Sequence, residues 1–371
     1  MSSIFVPSQP QCIAGGTKSG QVVLWDMRCG HEPVVCIQPS TKSHNTPIYS
    51  ITYQHNSLEK DAGGNYLTTL SSDGKLCKWS LRNMSEPISS SMIQDPKISR
   101  NSEITAMTSQ MTSSSLTSFV IGRDDGVVTP YDQSSIAFVE SATSGYGNGN
   151  SNYHTGPVLS LDYHPVAQGS YSHLSNLLLS ASADWSVKLW SVNGILNSQN
   201  SIKNDNNSDS VLNDGSDERG DMNSGEGANA GDENGEESEK GAGNSNNLPL
   251  YTFGCNDYVF DAKWSPVHPG TFAVADGCGT VSLWDITERL DAPIISCQCG
   301  GSGGSGLGRD EIDGVAPSAT ALKWNHAGSK IAVGDSFGRI HVFGVGEHWQ
   351  MATAESWAQT NERVKLMSQN I

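Results

Sequence analysis

Positive charge is scarce in this sequence. Lys and Arg number 22 against 39 Asp and Glu among 371 residues, a formal net charge of −17. Phosphate backbones are gripped by clustered cations that release counterions, so nucleic acid is excluded as the default partner, and an anionic membrane surface is disfavoured with it. Long apolar runs are missing too: none approaches the roughly 20 residues that span a bilayer, so no membrane insertion is expected. No basic, apolar and small-residue succession follows Met1, and the expectation is a soluble, unexported protein. Eight cysteines (12, 29, 36, 77, 255, 278, 297 and 299) include no C-x-x-C pair, and no His pair stands at zinc-ligand spacing; they read as reduced thiols in a cytosolic protein, with no metal. A Walker-type Gly-Lys-Ser/Thr and an H-E-x-x-H are absent. "GSGGSG" at 301–306 satisfies G-x-G-x-x-G only formally, because it lies in a Gly/Ser loop with no helix after it and no βαβ unit around it. No cofactor and no enzymatic activity are expected.

What the chain does contain is a repeat. Six segments align without gaps, each closing on an aromatic: "GQVVLW" at Trp25, "GKLCKW" at Trp79, "GVVTPY" at Tyr131, "WSVKLW" at Trp190, "GTVSLW" at Trp284 and "GRIHVF" at Phe343. A short apolar run with small residues precedes each one ("CIAGG", "LTTLSS", "FVIGR", "LLLSAS", "FAVAD", "IAVGD"), which predicts a β-hairpin with alternate side chains on one face. A further strand reads ahead of five of the six, so each unit is several short antiparallel strands. The aromatics are 54, 52, 59, 94 and 59 residues apart, longer than the roughly 40 to 45 of a WD-repeat blade, and loop insertions must supply the excess.

The outlying interval holds residues 193–247, rich in Asn, Ser, Gly, Asp and Glu. Twelve acidic against three basic residues give this tract −9 and leave −8 for the rest. It cannot bury enough apolar surface to offset its ordering entropy, and it is expected to be a disordered acidic insertion. The fold class expected is therefore an all-β WD-repeat β-propeller formed by 1–192 and 248–346, followed by a tail, 347–371, in which "AESWAQTNERVKLM" allows a short helix with Trp357 and Val364 on one face. Because the first unit begins close to Met1, five complete blades and one partial blade are expected, with the ring either truncated or completed by other material.

The turns carry their own chemistry. Asp73, Asp125 and Asp184 stand six residues before the blade aromatic, and His154 precedes the strand "PVLSL". This resembles the WD-repeat family, in which a turn Asp, a His, a strand Ser and the blade Trp form one buried hydrogen-bond chain; His154, Asp184, Trp190 and either Ser180 or Ser182, with Ser182 preferred, match it. A buried imidazole and indole need such partners, since each orphaned group costs about 1–3 kcal/mol. The same residues also spell a nucleophilic triad. Partial recurrence at blades without a His, and the lack of a nucleophile elbow, favour the structural reading. Ser19, Cys278 and Phe337 replace the turn Asp in the other units, where an incomplete chain is expected.

Beyond the repeat, "AGGTKSGQVVLWDMR" (14–28), "SSDGKLCKWSLRNMSEP" (71–87), "SADWSVKLW" (182–190), "DYVFDAKWSPVHPGTFAVADGCGTVSLWDI" (257–286), "WNHAGSKIAVGDSFGRIHVFGVGE" (324–347) and "ESWAQTNERV" (355–364) resemble the dynein intermediate chains, the cytoplasmic type above the axonemal. The resemblance implies a seven-bladed propeller and a non-catalytic scaffold that binds the dynein heavy chain in a cytoplasmic, microtubule-based motor complex. In that family, dynein light chains and dynactin are bound by an N-terminal region that this sequence does not match. The alternative is a WD-repeat adaptor of another assembly, such as a ubiquitin-ligase substrate receptor. Trp185, at a hairpin tip where Gly is usual, either anchors a partner or lies back over a neighbouring blade.

Overall fold

A computed structural model of the chain describes residues 2–55, 65–93, 103–110, 118–132, 153–165, 174–191, 249–300 and 317–369. The regular structure is almost entirely β, in six antiparallel sheets that follow one another along the sequence. The first contains β1 (Ser3–Val6), β2 (Gln9–Gly16), β3 (Val22–Asp26) and β4 (Val35–Ile37). The second contains β5 (Ile48–His55), β6 (Asn65–Ser71), β7 (Lys75–Ser80) and β8 (Ser89–Met92). In the third, β9 (Ile104–Gln110), β10 (Ser118–Arg123) and β11 (Val128–Asp132) are described. The fourth runs β12 (Val158–Tyr163), β13 (Leu177–Ser182), β14 (Ser186–Ser191), β15 (Tyr251–Gly254). Next come β16 (Val259–Trp264), β17 (Thr271–Asp276), β18 (Thr280–Asp285) and β19 (Ile295–Gln298), and then β20 (Ala319–Trp324), β21 (Lys330–Asp335) and β22 (Ile340–Gly344). The strand order within every sheet is the chain order.

The sheets form a six-bladed β-propeller. First strands stack on first strands: β5 on β9, β9 on β12, β12 on β16, and β16 on β20, while β1 and β2 pack on β5. Side chains bolt this inner layer together, with Ser50 Oγ donating to Met107 O (3.0 Å), Ser160 Oγ to Asp261 Oδ1 (2.6 Å), and the backbone N–H of Leu322 to Asp261 Oδ2 (2.9 Å). In five sheets the first strand bulges at its second residue, at Tyr49, Thr105, Leu159, Phe260 and Thr320, which adds the twist that lets flat hairpins fan out. The second strands β13 and β17 are buried at every residue, covered on both faces by adjacent sheets.

Two expectations need correction. The first unit is a full four-stranded sheet and not a partial blade: "SIFV" pairs with β2 as Ser3↔Gly15, Ile4↔Ala14 and Phe5↔Ile13, and Val6 is buried. Its brevity, with Pro7 in the connecting turn and Pro10 at the start of β2, hides it from a periodicity search. The sheets with only three described strands are the third and the sixth. The count is therefore six, against the seven that the family resemblance implies. Tract 193–247 lies outside the described residues; it joins β14 to β15, which pair as Val187↔Phe253 and Leu189↔Tyr251 across it.

After the sixth sheet come a short helix, Glu347–Gln350, and a C-terminal helix, Ala354–Gln369. Thr353 and Ser356 cap the latter reciprocally, the N–H of Ser356 donating to Thr353 Oγ1 (3.1 Å) and that of Thr353 to Ser356 Oγ (3.0 Å), a capping box with Ser in place of Glu. Val364 and Met367 join the apolar cluster of Leu174, Leu177, Phe272 and Trp284 in the fourth and fifth sheets. The tail is thus a docked helix, folded back past the sheet it follows.

Candidate functional site

Each β-hairpin between a second and a third strand must turn the chain in a few residues, and the residue five before the blade aromatic takes a left-handed φ to do so. Gly20, Gly74, Gly126, Gly279 and Gly338 supply it in five sheets, with φ from +77° to +85°. Glycine has no Cβ to clash there. In the fourth sheet the position is Trp185, at φ 68°, the sole left-handed non-glycine residue among those described. A bulky side chain there costs about 1–2 kcal/mol.

The turns are fastened in two ways. In sheets two, three and four the Asp six before the aromatic accepts from the N–H two residues on: Lys75 to Asp73 (3.2 Å), Val127 to Asp125 (3.2 Å), Ser186 to Asp184 (3.1 Å). In sheets one, five and six, where Ser19, Cys278 and Phe337 occupy that position, the acceptor moves two residues upstream and takes the N–H four residues on: Gln21 to Thr17 (3.0 Å), Thr280 to Asp276 (2.7 Å), Arg339 to Asp335 (2.9 Å). Asp335 also accepts from Arg339 Nε and His341 Nε2 (2.9 Å each); burial alone would raise its carboxyl, but these hydrogen bonds hold it well below the usual carboxylate range.

Where a His is available, the turn Asp is wired to the core. His154 Nδ1 lies 2.9 Å from Asp184 Oδ2, His154 Nε2 2.7 Å from Ser180 Oγ, and Trp190 Nε1 donates to the same Ser180 Oγ at 2.8 Å. The proton order follows from the inventory: indole N–H to serine, serine O–H to Nε2, Nδ1–H to carboxylate. The serine in this chain is Ser180 and not Ser182. Ser182 Oγ donates instead to Gly156 O (3.0 Å) and accepts from the N–H of Asp184 (3.1 Å), fastening the turn itself. Burial holds the His154 imidazole below its ordinary pKa even against the pull of Asp184, so the ring is neutral at pH 7.

Sequence reasoning missed a second chain in sheet two. His44 Nε2 is 2.6 Å from Thr69 Oγ1, which accepts from Trp79 Nε1 (2.8 Å), while His44 Nδ1 meets Ser71 Oγ (2.8 Å), which donates to Asp73 (2.6 Å). The available signal was a hydroxyl ten residues before the aromatic, present at Thr69 and Ser180 and absent elsewhere. Gly15, Ile121, Val274 and Val333 occupy that position in the other sheets, and Trp284 Nε1 has no partner. Trp25 lies over Gly15, where a Cβ would come within 2.7 Å of its ring. Tyr131 sits on β11 and Phe343 packs into the sixth-sheet cluster.

The arrangement has triad connectivity without triad access. Ser180 is fully buried, and its oxygen already takes the Trp190 N–H, so no reacting carbonyl can reach it. Among the described residues no three His, Cys, Asp or Glu side chains converge as metal ligands.

What stands open to solvent is the neighbouring tip. Trp185 is 51% exposed and meets the 50% exposed Tyr258 edge to face, with ring centroids 6.3 Å apart. The N–H of Cys255 donates to Trp185 O (2.8 Å), anchoring the strained residue to the loop that carries Tyr258. Asp257 completes the corner, with Oδ1 accepting from the N–H of Tyr258 (2.8 Å) and Oδ2 from Cys278 Sγ (3.3 Å). Of the two readings of Trp185, the ring both touches the next sheet's loop and keeps half its surface free.

No protein-family model matches the chain. Over its whole length it is similar to the cytoplasmic dynein 1 intermediate chain of Drosophila melanogaster, 27% identical across 377 aligned residues. The chain spans 44% of the length of that relative.

Proposed function

We propose that this chain, alike end to end to part of a cytoplasmic dynein intermediate chain, is the propeller portion of such a subunit: a non-catalytic scaffold that docks the dynein heavy chain in a cytoplasmic, microtubule-based motor complex. The observation that carries this is the end-to-end match to one stretch of that relative, strands, linking residues and C-terminal helix included. A propeller suits the task physically, because rigid sheets hold many loops at fixed positions while chemistry is left to other subunits. Dynein light chains and dynactin are not assigned to these residues. No described helix is long and apolar enough to cross a membrane.

Affinity purification of the tagged chain tests the reading. A dynein heavy chain should dominate the recovered proteins, and a ubiquitin-ligase scaffold in its place would refute it. Within that experiment, Trp185→Ala should leave the circular dichroism spectrum unchanged and reduce heavy-chain recovery; unchanged recovery would remove Trp185 from the interface.

A further inference from the structure

We propose that the corner formed by Trp185, Tyr258 and Asp257 is a receptor for a cationic side chain, an arginine above all, presented by a protein partner. It rests on the docking reading above only in taking that partner to be a protein.

The first observation is where the strain has been placed. Five of six equivalent turns use glycine, and the sixth tolerates a left-handed tryptophan whose ring is half in water. The fold draws on only half of that ring; the other half stays in water, where a ligand could cover it.

The second is the chemistry at the tip. An indole and a phenol set edge to face, each about half exposed, offer π-surface that attracts a cation within about 6 Å of a ring centroid. Beside them Asp257 is held by two hydrogen bonds that leave acceptor capacity on both oxygens. Gly277 makes room for this carboxylate: a Cβ there would lie 2.7 Å from Asp257 Oδ2. Guanidinium, flat and weakly hydrated, stacks on aromatic faces and forks onto carboxylates, whereas ammonium does the second without the first.

The third is charge. The three loops that build the corner, 183–186, 255–258 and 276–279, contain Asp184, Asp257 and Asp276 and no Lys or Arg. An acidic or neutral apolar peptide would find no counter-charge there, and an arginine would.

Incorporating 5-fluorotryptophan into the full chain gives a direct readout. The fluorine resonance lost in Trp185→Phe identifies Trp185. Titration with an acetylated, amidated tripeptide bearing a central arginine should shift that resonance saturably, with millimolar affinity, and the citrulline counterpart should bind about fivefold or more weakly. Asp257→Asn should weaken arginine binding about two- to fivefold. Absence of a saturable shift, an equal response to the two peptides, or full arginine affinity in Asp257→Asn overturns the proposal. No dynein subunit takes part, so this result is independent of the co-purification.

Discussion

At the residue scale the molecule distinguishes two kinds of buried histidine use from one exposed aromatic. His44 and His154 are relays whose role is to satisfy Trp79 and Trp190. Ser180→Ala leaves an indole N–H and an imidazole nitrogen without partners inside the fourth sheet, and it should lower unfolding free energy by about 2–4 kcal/mol in urea titration. His44 and His164 carry a pH consequence. Burial pushes each down to about 4, against an ordinary value near 6.5, so as pH falls from 6.5 towards 4 the unfolded chain binds protons that the folded chain refuses. Stability should therefore drop across that window, by at most roughly 3 kcal/mol per residue, and level off below it. His44→Gln should flatten the slope, which thermal melts at pH 7 and pH 5 will show. Trp185 behaves oppositely to a core residue: Trp185→Gly removes left-handed strain and should raise stability by up to about 1 kcal/mol while weakening partner binding.

At the element scale the hairpins were legible and their fastenings only in part. The six-residue segments ending on an aromatic, each behind an apolar run and a turn, mark β3, β7, β11, β14, β18 and β22 because they recur in register along the chain. β1 was not legible, since four residues ahead of a proline-flanked turn carry too little pattern. The i to i+4 turns of Thr17, Asp276 and Asp335 were missed because the acceptor shifts two positions while the geometry of the turn is kept. Thr69 was legible from its place ten residues before Trp79, but His44 was missed because only the folded sheet brings it to Thr69 and Ser71. The C-terminal helix was half legible: its apolar face is written at Trp357 and Val364, but nothing local tells that Met367 joins them or which sheets receive it. Thr353→Ala should cost about 1 kcal/mol through the lost cap, and Val364→Ala about 1–3 kcal/mol through the cavity, both by chemical denaturation.

At the scale of the whole molecule, sequence order becomes spatial order. Each sheet packs on the next through its first strand, so stability is shared between neighbours and a fault in one sheet weakens two interfaces. The sixth sheet ends this succession with an open face: Ile340 and Val342 on β22 are 75% and 62% exposed. Replacing both with Thr should leave the melting temperature within a few degrees of the parent and reduce self-association at high concentration, measured by sedimentation velocity, because exposed apolar edge strands are what aggregation recruits.

The docked C-terminal helix also sets a timetable. Its contacts lie on the fourth and fifth sheets, yet it follows the sixth in the chain, so during synthesis the cluster of Leu174, Leu177, Phe272 and Trp284 is packed by neighbouring strands first and gains Val364 and Met367 only about eighty residues after β18 has emerged. For that interval the fourth and fifth sheets lack one wall of their shared cluster, and the helix is the last piece to close it.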